Sequence, residues 1–297
     1  MKVRDALQLL LLGSIWGSSF IFMRQASPEL GAFVTAEIRV TLAAVVLLVI
    51  SIWRFGTLRL EYWWPYLFIG ALNCALPFLL FAVAAQHLPA GYLSLLNATT
   101  PAFGAVAAAL LLGEALGLRR VAGLAIGLFG VGLLVTLGPV VLNESTILGI
   151  LAALVASASY GIAAVYLTKL VREVPGVTIA ACTLSAASFI LAPFVWFFPG
   201  GSGSALALGS VVTLGVLCTA IAYLIYFDLV KRIPPTRAVA VTFLIPAFAA
   251  LWGWMFLGEI VTSRMLLGGT ICLLGTWFSV GRASAKSSAS FTYRRDI

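Results

Sequence analysis

The stretch that decides the fold is Asn97–Gly130, NATTPAFGAVAAALLLGEALGLRRVAGLAIGLFG, because a second copy follows at Thr242–Gly275, TFLIPAFAALWGWMFLGEIVTSRMLLGGTICLLG. A shift of 145 residues aligns the two copies without a gap. The identical pairs include Pro101 with Pro246, Phe103 with Phe248, Gly113 with Gly258, Glu114 with Glu259, Arg119 with Arg264, Gly123 with Gly268 and Gly130 with Gly275. The register extends back to Gly70 with Gly215, so the chain is predicted to be a duplicated half-protein.

The composition places these halves in a membrane. Of the 297 residues, 62% are apolar and 9% are charged, and the mean hydropathy is +1.11. Such a chain lacks the polar surface that a water-soluble globule requires. Apolar runs of about 20 residues fit spanning helices and are too long for spanning strands. We predict an all-α membrane protein that contacts the lipid bilayer.

Ten transmembrane helices are predicted, arranged as two five-helix repeats, 1–137 and 147–282, and followed by a basic cytoplasmic tail, 283–297, predicted to be disordered. The spans run approximately over residues 5–23, 31–53, 62–86, 90–112, 119–137, 147–169, 176–197, 207–230, 236–257 and 264–282. Turn residues, among them Ser27–Pro28 and Arg54–Thr57, separate them. The short loops predict antiparallel neighbours.

The cysteines and the charges exclude several classes of function. Four cysteines, all within apolar runs, form no CxxC or CxxH pair, so neither a disulfide framework nor a metal site is expected. The net charge of +8 comes from basic residues scattered in ones and twos, which indicates membrane topology and not nucleic-acid binding. No cofactor motif is present, and no cofactor is expected.

The lysines and arginines predict the orientation. With a cytoplasmic N-terminus, fifteen of the eighteen basic residues fall on the cytoplasmic side and two, Arg24 and Arg264, on the other; Arg39 lies within a span. This asymmetry predicts that both termini face the cytoplasm, in a bacterial inner membrane. Because five spans, an odd number, separate equivalent points of the repeat, the two halves must be inverted. Inverted repeats are typical of secondary transporters that work by alternating access.

The same residues resemble a known family. Leu88-Pro-Ala-Gly, Leu96-Asn-Ala-Thr-Thr-Pro101 and Leu112-Gly-Glu114, with Pro246 and Leu257-Gly-Glu259 in the second copy, resemble the EamA type of the drug/metabolite transporter superfamily. Trp16-Gly17-Ser18 and Tyr160-Gly161 resemble its aromatic-glycine element. The resemblance implies a central cavity lined mainly by the first, third, fourth, sixth, eighth and ninth helices. It also implies export of small metabolites, frequently amino acids.

Three prolines inside spans follow a polar residue by four positions. These pairs are Asn73 with Pro77, Asn97 with Pro101, and Thr242 with Pro246. Proline leaves the carbonyl four residues earlier without its helical donor, so each pair predicts a loosened turn with free polar atoms that acts as a kink or hinge. A kink healed by neighbouring helices is the alternative.

Aromatic and polar residues away from the interface belts are the candidate substrate-binding residues. Phe78 with Tyr223 and Phe81 with Tyr226 are equivalent under the 145-residue shift. The predicted cavity residues are Trp16, Asn73, Phe78, Asn97, Thr100, Ser159, Tyr160, Tyr223, Tyr226 and Thr242. Ordinary bundle packing is the alternative for each aromatic residue.

Two charges lie within the second span. Glu37 and Arg39 are candidates for carrying substrate charge or for coupling, because an ionised group at that depth is costly. Two residues correspond to about 200° on a helix, so the two side chains cannot pair with each other. Snorkelling to the interface is the alternative.

The repeated Gly-Glu pairs are interpreted as structural. Glu114 and Glu259 are predicted to accept from the free amides of the next helix, with Arg264 a partner of Glu259. Asp228 is predicted to form an interfacial ion pair with Lys231 or Arg232. The glycines near Gly123–Gly130 and Gly268 are predicted to allow close helix packing or dimer contact.

The preferred hypothesis is a secondary carrier that exports small metabolites, with amino acids the leading class, as a monomer or weak homodimer. Efflux of drugs or organic cations is the alternative. A passive channel and a membrane-embedded enzyme are further alternatives; the enzyme is disfavoured because HExxH, GxSxG and phosphate-binding motifs are missing from the sequence.

Overall fold

The structure, a computed structural model, describes residues 2–113, 117–137, 140–170, 174–233, 238 and 240–280, and every regular element in this part of the chain is helical. The helices are α1 (Val3–Leu30), α2 (Ala32–Phe55), α3 (Leu60–Ala85), α4 (Ala90–Leu112), α5 (Leu118–Leu137), α6 (Glu144–Leu170), α7 (Gly176–Phe197), α8 (Ala205–Val230), α9 (Val241–Leu257) and α10 (Ser263–Val280). The all-α prediction is confirmed for the described residues. Glu114 and the predicted tail lie outside them.

Seven of these helices are long and apolar enough to cross a membrane, namely α1 to α4 and α6 to α8, and α9 is a shorter apolar helix. The chain is therefore a multi-pass membrane protein. The predicted number of ten crossings goes beyond these seven and is taken up below as a proposal.

The end of α1 differs from the prediction. The helix continues through Ser27 and Pro28 to Leu30 and ends at Gly31, whose φ of 77° is a conformation that favours glycine. Pro28 lies in the last turn, where only the carbonyl of Arg24 loses its helical donor, so the helix tolerates it. The predicted turn at Arg54–Thr57 is confirmed, since α2 ends at Phe55 and the following Gly56 has a φ of 69°.

Two helices widen at equivalent positions. α3 contains a π-helical turn at Ala71–Ala75, and α8 contains one at Val216–Ile221, so the two turns begin 145 residues apart (216 − 71). The loosened turn predicted before Pro77 is thus present in α3. Residue 222, the counterpart of Pro77, is alanine, so proline is not required for the π turn in α8.

The other two prolines behave differently from each other. α4 is interrupted at Ala98–Thr99, between the segments Ala90–Asn97 and Thr100–Leu112, as the Pro101 prediction requires. The prediction for Pro246 is wrong, because α9 stays α-helical from Val241 to Leu257. Thr242 is the second residue of α9, so Pro246 removes a bond only from the first turn and leaves the rest of the helix intact.

Glycines set the closest helix contacts. A Cβ on Gly17 of α1 would lie 2.7 Å from Phe248 Cβ of α9, and one on Gly161 of α6 would lie 2.6 Å from Gly104 N and 2.8 Å from the carbonyl carbon of Phe103 in α4. Phe103 and Phe248 are a repeat pair. Along α5 and α10, a Cβ on Gly268 would lie 2.8 Å from the Leu134 nitrogen. The predicted close packing is confirmed within one chain.

Polar clusters join α1 to other helices at both of its ends. Near one end, the Arg24 Nε atom lies 3.4 Å from the Glu259 carboxylate, which accepts from the Ala90 amide at 2.9 Å and 3.0 Å. Glu259 therefore caps α4, and the predicted cap of α10 is wrong. The loop after α9 packs over the start of α4, which brings Ala90 to the carboxylate before α10 can use it.

At the opposite end of α1, Arg232 donates to Asp5 at 3.1 Å and also pairs with Asp228. The predicted ion pair of Asp228 with Arg232 is confirmed. The hydrogen bond to Asp228 raises the pKa of the Arg232 guanidinium above its ordinary value. The two clusters place Asp5 and Arg232 at one end of the bundle and Arg24, Ala90 and Glu259 at the other.

Candidate functional site: a cavity among eight helices

A cavity of about 370 Å³ lies among α1, α2, α3, α4, α6, α7, α8 and α9. Its volume is in the range of pockets that enclose small molecules. Its wall consists of Trp16, Ser19, Phe20, Met23, Arg39, Ile69, Asn73, Phe78, Phe81, Asn97, Thr100, Tyr160, Ala164, Leu167, Ile179, Ala180, Thr183, Cys218, Thr219, Tyr223, Tyr226, Phe227, Thr242 and Ile245. The six helices implied by the resemblance all contribute, and α2 and α7 contribute as well.

Nine of the ten predicted substrate-binding residues lie on this wall, namely Trp16, Asn73, Phe78, Asn97, Thr100, Tyr160, Tyr223, Tyr226 and Thr242. Ser159 does not. Its hydroxyl donates to the Leu72 carbonyl at 2.7 Å, within the π-helical turn of α3, where the widened backbone offers an acceptor. The structure thus brings together, around one cavity, helices that are far apart in sequence.

Aromatic rings cover much of the wall. Tyr160 contacts Phe78 and Phe81, with ring centroids 6.4 Å and 6.2 Å apart, so α6 and α3 meet through these rings. The ring centroids of Trp16 in α1 and Tyr226 in α8 are 5.6 Å apart. The aromatic-glycine pairs explain this arrangement: Gly17 and Gly161 approach α9 and α4, while the preceding Trp16 and Tyr160 turn into the cavity.

Several polar groups on the wall keep hydrogen-bonding capacity for a ligand. The Thr100 hydroxyl is enclosed and has no partner in the described structure. It lies at the start of the second segment of α4, one turn from Asn97. The break in α4 therefore presents a hydroxyl and an amide to the same cavity.

Arg39 is the one charged residue on the wall as described. It is 7% exposed, its Nε atom donates to Thr219 Oγ1 at 3.0 Å, and its guanidinium carbon lies 3.6 Å from the centroid of the Phe78 ring. The Nη1 atom lies 3.7 Å from the Met23 sulfur, a weak acceptor. The snorkelling alternative is wrong for Arg39, because the side chain turns inward to the cavity.

No carboxylate of the described chain lies within 4.0 Å of Arg39. A guanidinium has five N–H donors, and here one donates to an oxygen and one meets a weak sulfur acceptor. A buried cation is costly without a counter-charge, although the Phe78 ring offsets part of that cost. The cavity thus contains an unneutralised positive charge with unused donors.

Glu37 lies away from the cavity, on the α7 side of α2. Its Oε1 atom accepts from Thr41 at 2.7 Å and from Ser188 of α7 at 2.6 Å. The prediction that Glu37 and Arg39 point in different directions is confirmed, and snorkelling is wrong for Glu37 as well, because its carboxylate is held between two helices.

Sequence reasoning missed some wall residues, including Met23, Thr183, Cys218 and Thr219. The repeat could have predicted two of them, because Cys218 and Thr219 are the counterparts of Asn73, a predicted cavity residue, and Cys74 at a shift of 145 residues. Met23 and Thr183 have no such signal. In the part of the chain that the structure describes, no three His, Cys, Asp or Glu side chains come together to hold a metal ion.

Comparison with known proteins identifies the family. The model of the EamA-like transporter family matches residues 5–136 and 147–281. The uncharacterized transporter YvbV of Bacillus subtilis is 29% identical over 293 residues, covering 96% of this chain and 95% of the relative. A probable terminal-alkyne amino-acid exporter of Streptantibioticus cattleyicolor is 30% identical over 192 residues, covering 64% of this chain and 63% of the relative.

One further relative and one solved structure are also similar to this chain. A chloroplastic WAT1-related protein of Arabidopsis thaliana is 26% identical over 281 residues, covering 88% of this chain and 66% of the relative. A crystal structure that is 18% identical shares the fold, with a TM-score of 0.64 over 94% of this chain and 98% of its own. The predicted family is confirmed: this chain belongs to the EamA-like transporter family and is a transmembrane transporter.

Proposed function

We propose that this transporter is a secondary carrier that exports amino acids through the central cavity by alternating access. The observation that carries the proposal is the aromatic wall with the single unneutralised cation, Arg39. A carboxylate would supply the missing counter-charge and accept from the free guanidinium N–H groups. The relative named as an amino-acid exporter supports the same class of substrate.

The remaining parts of an amino acid also find partners on the wall. An apolar or aromatic side chain would pack against the rings of Phe78, Tyr160 and Tyr226. The ammonium group would meet the Asn97 carbonyl oxygen, the Thr100 hydroxyl and aromatic faces, which attract cations. Each part of the ligand is thus matched by a residue type suited to it.

The proposed architecture has ten membrane helices in two inverted halves, 1–137 and 147–282. Three observations support it. The family model matches two stretches of similar length, and the π-helical turns begin 145 residues apart. Phe103 and Phe248, which are equivalent under that shift, are each packed against the glycine of an aromatic-glycine pair. Inverted halves around one cavity allow two alternative openings. The proposed location is a bacterial inner membrane, with cytoplasmic termini.

Efflux of organic cations is the second candidate, and Arg39 argues against it. A cationic drug would be repelled by the guanidinium, and no carboxylate lines the described wall to compensate. A passive channel would need no binding groups arranged in this way.

Flux in proteoliposomes tests the proposed function. We expect uptake of labelled phenylalanine to saturate and to accelerate when unlabelled phenylalanine is present inside. Phenethylamine, which lacks the carboxylate, should compete poorly. Arg39→Gln should reduce phenylalanine flux about tenfold to hundredfold, because a hydrogen bond to a charged group is worth about 1.5–3 kcal/mol.

The matched control is Arg54→Gln, which removes a basic residue from the far end of the same helix. It should leave phenylalanine flux unchanged. Saturable transport of a quaternary ammonium dye without phenylalanine flux would favour the second candidate. Linear flux without trans-acceleration would contradict the carrier mechanism.

A further inference from the structure

We propose that Glu37 is a proton-binding site that couples export to a proton gradient. This inference rests on the proposed carrier function and adds its energy source. The site lies between α2 and α7, outside the cavity, and consists of Glu37, Thr41 and Ser188.

The position of Glu37 differs from that of the other described acidic residues. Asp5, Glu29, Glu61, Glu144, Asp228 and Glu259 all lie in the first or last turn of a helix or between helices. Glu37 lies five residues after the start of α2, or about 8 Å along its axis. No cation approaches its carboxylate within 4.0 Å in the described structure. A carboxylate in such surroundings is expensive to keep ionised.

One carboxylate oxygen of Glu37 and the hydroxyl oxygens of Thr41 and Ser188 form a closed triangle. Thr41 Oγ1 and Ser188 Oγ each lie near Glu37 Oε1, at 2.7 Å and 2.6 Å, and lie 2.8 Å from each other. If all three oxygen–oxygen contacts are hydrogen bonds, each needs its own hydrogen, and the two hydroxyls supply only two of the three. A proton on Glu37 supplies the third.

The protonated carboxyl closes a ring in which every oxygen donates once and accepts once: Glu37 to one hydroxyl, that hydroxyl to the other, and the second hydroxyl back to Glu37. Chains of this kind strengthen each bond. The other carboxylate oxygen, Oε2, is enclosed and has no partner. That arrangement is costly for an ionised carboxylate and less so for the neutral acid.

Among the described residues, the elements packed against α2 place no other charge at this site. Their charged groups have partners elsewhere. In α1, Arg24 contacts Glu259 and Glu29 contacts Ser204; in α3, Glu61 contacts Arg59. Asp5 of α1 and Asp228 of α8 both contact Arg232, and Arg4 lies near Asp228. α7 carries no charged residue, and its only ionisable side chain, Cys182, contacts Leu58 at the far end of α2. The remaining ionisable groups of α3 and α8 are tyrosines and cysteines, Tyr62, Tyr66, Cys74, Cys218, Tyr223 and Tyr226.

A proton suits this site better than a metal cation. Calcium takes six to eight oxygen ligands and magnesium six. The triangle offers one carboxylate and two hydroxyls, and both hydroxyls already have oxygen partners.

The location explains how the proton would be coupled to transport. α2 presents Arg39 to the cavity and Glu37 to α7, so one helix carries both the proposed substrate site and the proton site. α2 and α7 belong to different proposed halves. When the halves move, the ring opens, and the carboxyl group exchanges its proton with water. In the outward-open state the substrate leaves and the carboxylate takes up a proton from the outside; in the inward-open state that proton is released and the next substrate binds.

The test compares wild type, Glu37→Gln and Glu29→Gln in proteoliposomes with labelled phenylalanine. Glu29 is the matched control, because it is a carboxylate next to α2 that is held by Ser204. With the lumen more acidic than the bath, wild type and Glu29→Gln should accumulate phenylalanine. In Glu37→Gln the accumulated phenylalanine should fall about tenfold, a factor typical of coupling between two sites. Exchange of labelled for unlabelled phenylalanine at equal pH should remain.

Infrared spectroscopy provides a readout that does not depend on transport. The carbonyl band of a protonated carboxyl should be present in wild type and Glu29→Gln and missing in Glu37→Gln. Ser188→Ala, which keeps the carboxyl group but removes one ring member, should shift the band to higher frequency. This variant keeps the inference testable if Glu37→Gln does not fold.

Each outcome separates this inference from the proposed function. If wild type neither exchanges nor accumulates phenylalanine, the proposed function fails. If wild type exchanges phenylalanine but a pH gradient does not drive accumulation, only the coupling inference fails. It also fails if a sodium gradient drives accumulation instead, if Glu37→Gln keeps its response to pH, or if the infrared band survives that substitution.

Discussion

At the residue scale, Asn97 and Ser159 have different roles: Asn97 faces the cavity, and Ser159 forms a hydrogen bond between two helices. Both are polar, both lie deep in helices, and both were predicted to line the cavity. Asn97 lies on the wall, whereas the Ser159 hydroxyl is used by the Leu72 carbonyl. Periodicity along one helix could not distinguish them, because the acceptor for Ser159 exists only where α3 widens.

Asn97→Ala should weaken transport and leave stability nearly unchanged, since no hydrogen bond within the described protein involves its side chain. We expect the KM for phenylalanine to rise about tenfold, because one hydrogen bond to a charged group is lost. Ser159→Ala should do the opposite: it should lower the free energy of unfolding by about 1 kcal/mol and leave KM unchanged. Kinetic and thermal-unfolding measurements check both. Equal effects of the two variants on KM would contradict the assignment.

The two charges of α2 show how far residue-level reasoning reaches. Helical geometry alone predicts that Glu37 and Arg39 face different surroundings, and the structure agrees. The partners could not be predicted, because Thr219 and Ser188 lie about 150 to 180 residues away in sequence. Long-range contacts of this kind depend on how the helices pack.

At the scale of elements, Glu259 ties three helices together. It follows α9, caps α4 and pairs with Arg24 of α1. The sequence indicated a helix-capping role from the repeated Gly-Glu pair, but not which helix is capped. A local rule favours the next helix, and the tertiary arrangement overrides it.

Glu259→Gln should therefore destabilise the protein. The variant replaces a charged acceptor of the Ala90 amide by a neutral one and removes the ion pair with Arg24, so the free energy of unfolding should fall by about 1–2 kcal/mol. Arg24→Gln should also lower it. Arg264→Gln is the control and should have little effect, because the predicted pairing with Glu259 is not formed. Thermal unfolding in detergent measures all three; a larger loss for Arg264→Gln would contradict the structure.

At the scale of the whole molecule, sidedness follows from charge and from contacts. The charge asymmetry of fifteen to two predicts which ends of the spans face the cytoplasm. The two polar clusters place residues 5 and 232 at one end of the bundle and residues 24 and 259 at the other, as this topology requires. The sequence predicts a topology with which these two clusters agree, but it does not predict the shape of the cavity, which depends on side chains from eight helices.

Reporter fusions test the orientation. A green fluorescent protein fused to the C-terminus should fluoresce, because it folds in the cytoplasm. Alkaline phosphatase fused after Gly201, between α7 and α8, should be active, because this loop is predicted to face the periplasm. Phosphatase activity at the C-terminus, or none at residue 201, would reverse the proposed orientation.

The two π-helical turns have a consequence for ancestry. Each turn accommodates one residue more than an α-helical turn would at that point, and turns of this kind are frequent at functional sites. Both turns border the cavity and begin 145 residues apart. On the proposed duplication, the extra residue was inserted once, in an ancestor of half this length, before its gene was copied. The widened turn is then older than the two-halved transporter that now uses it.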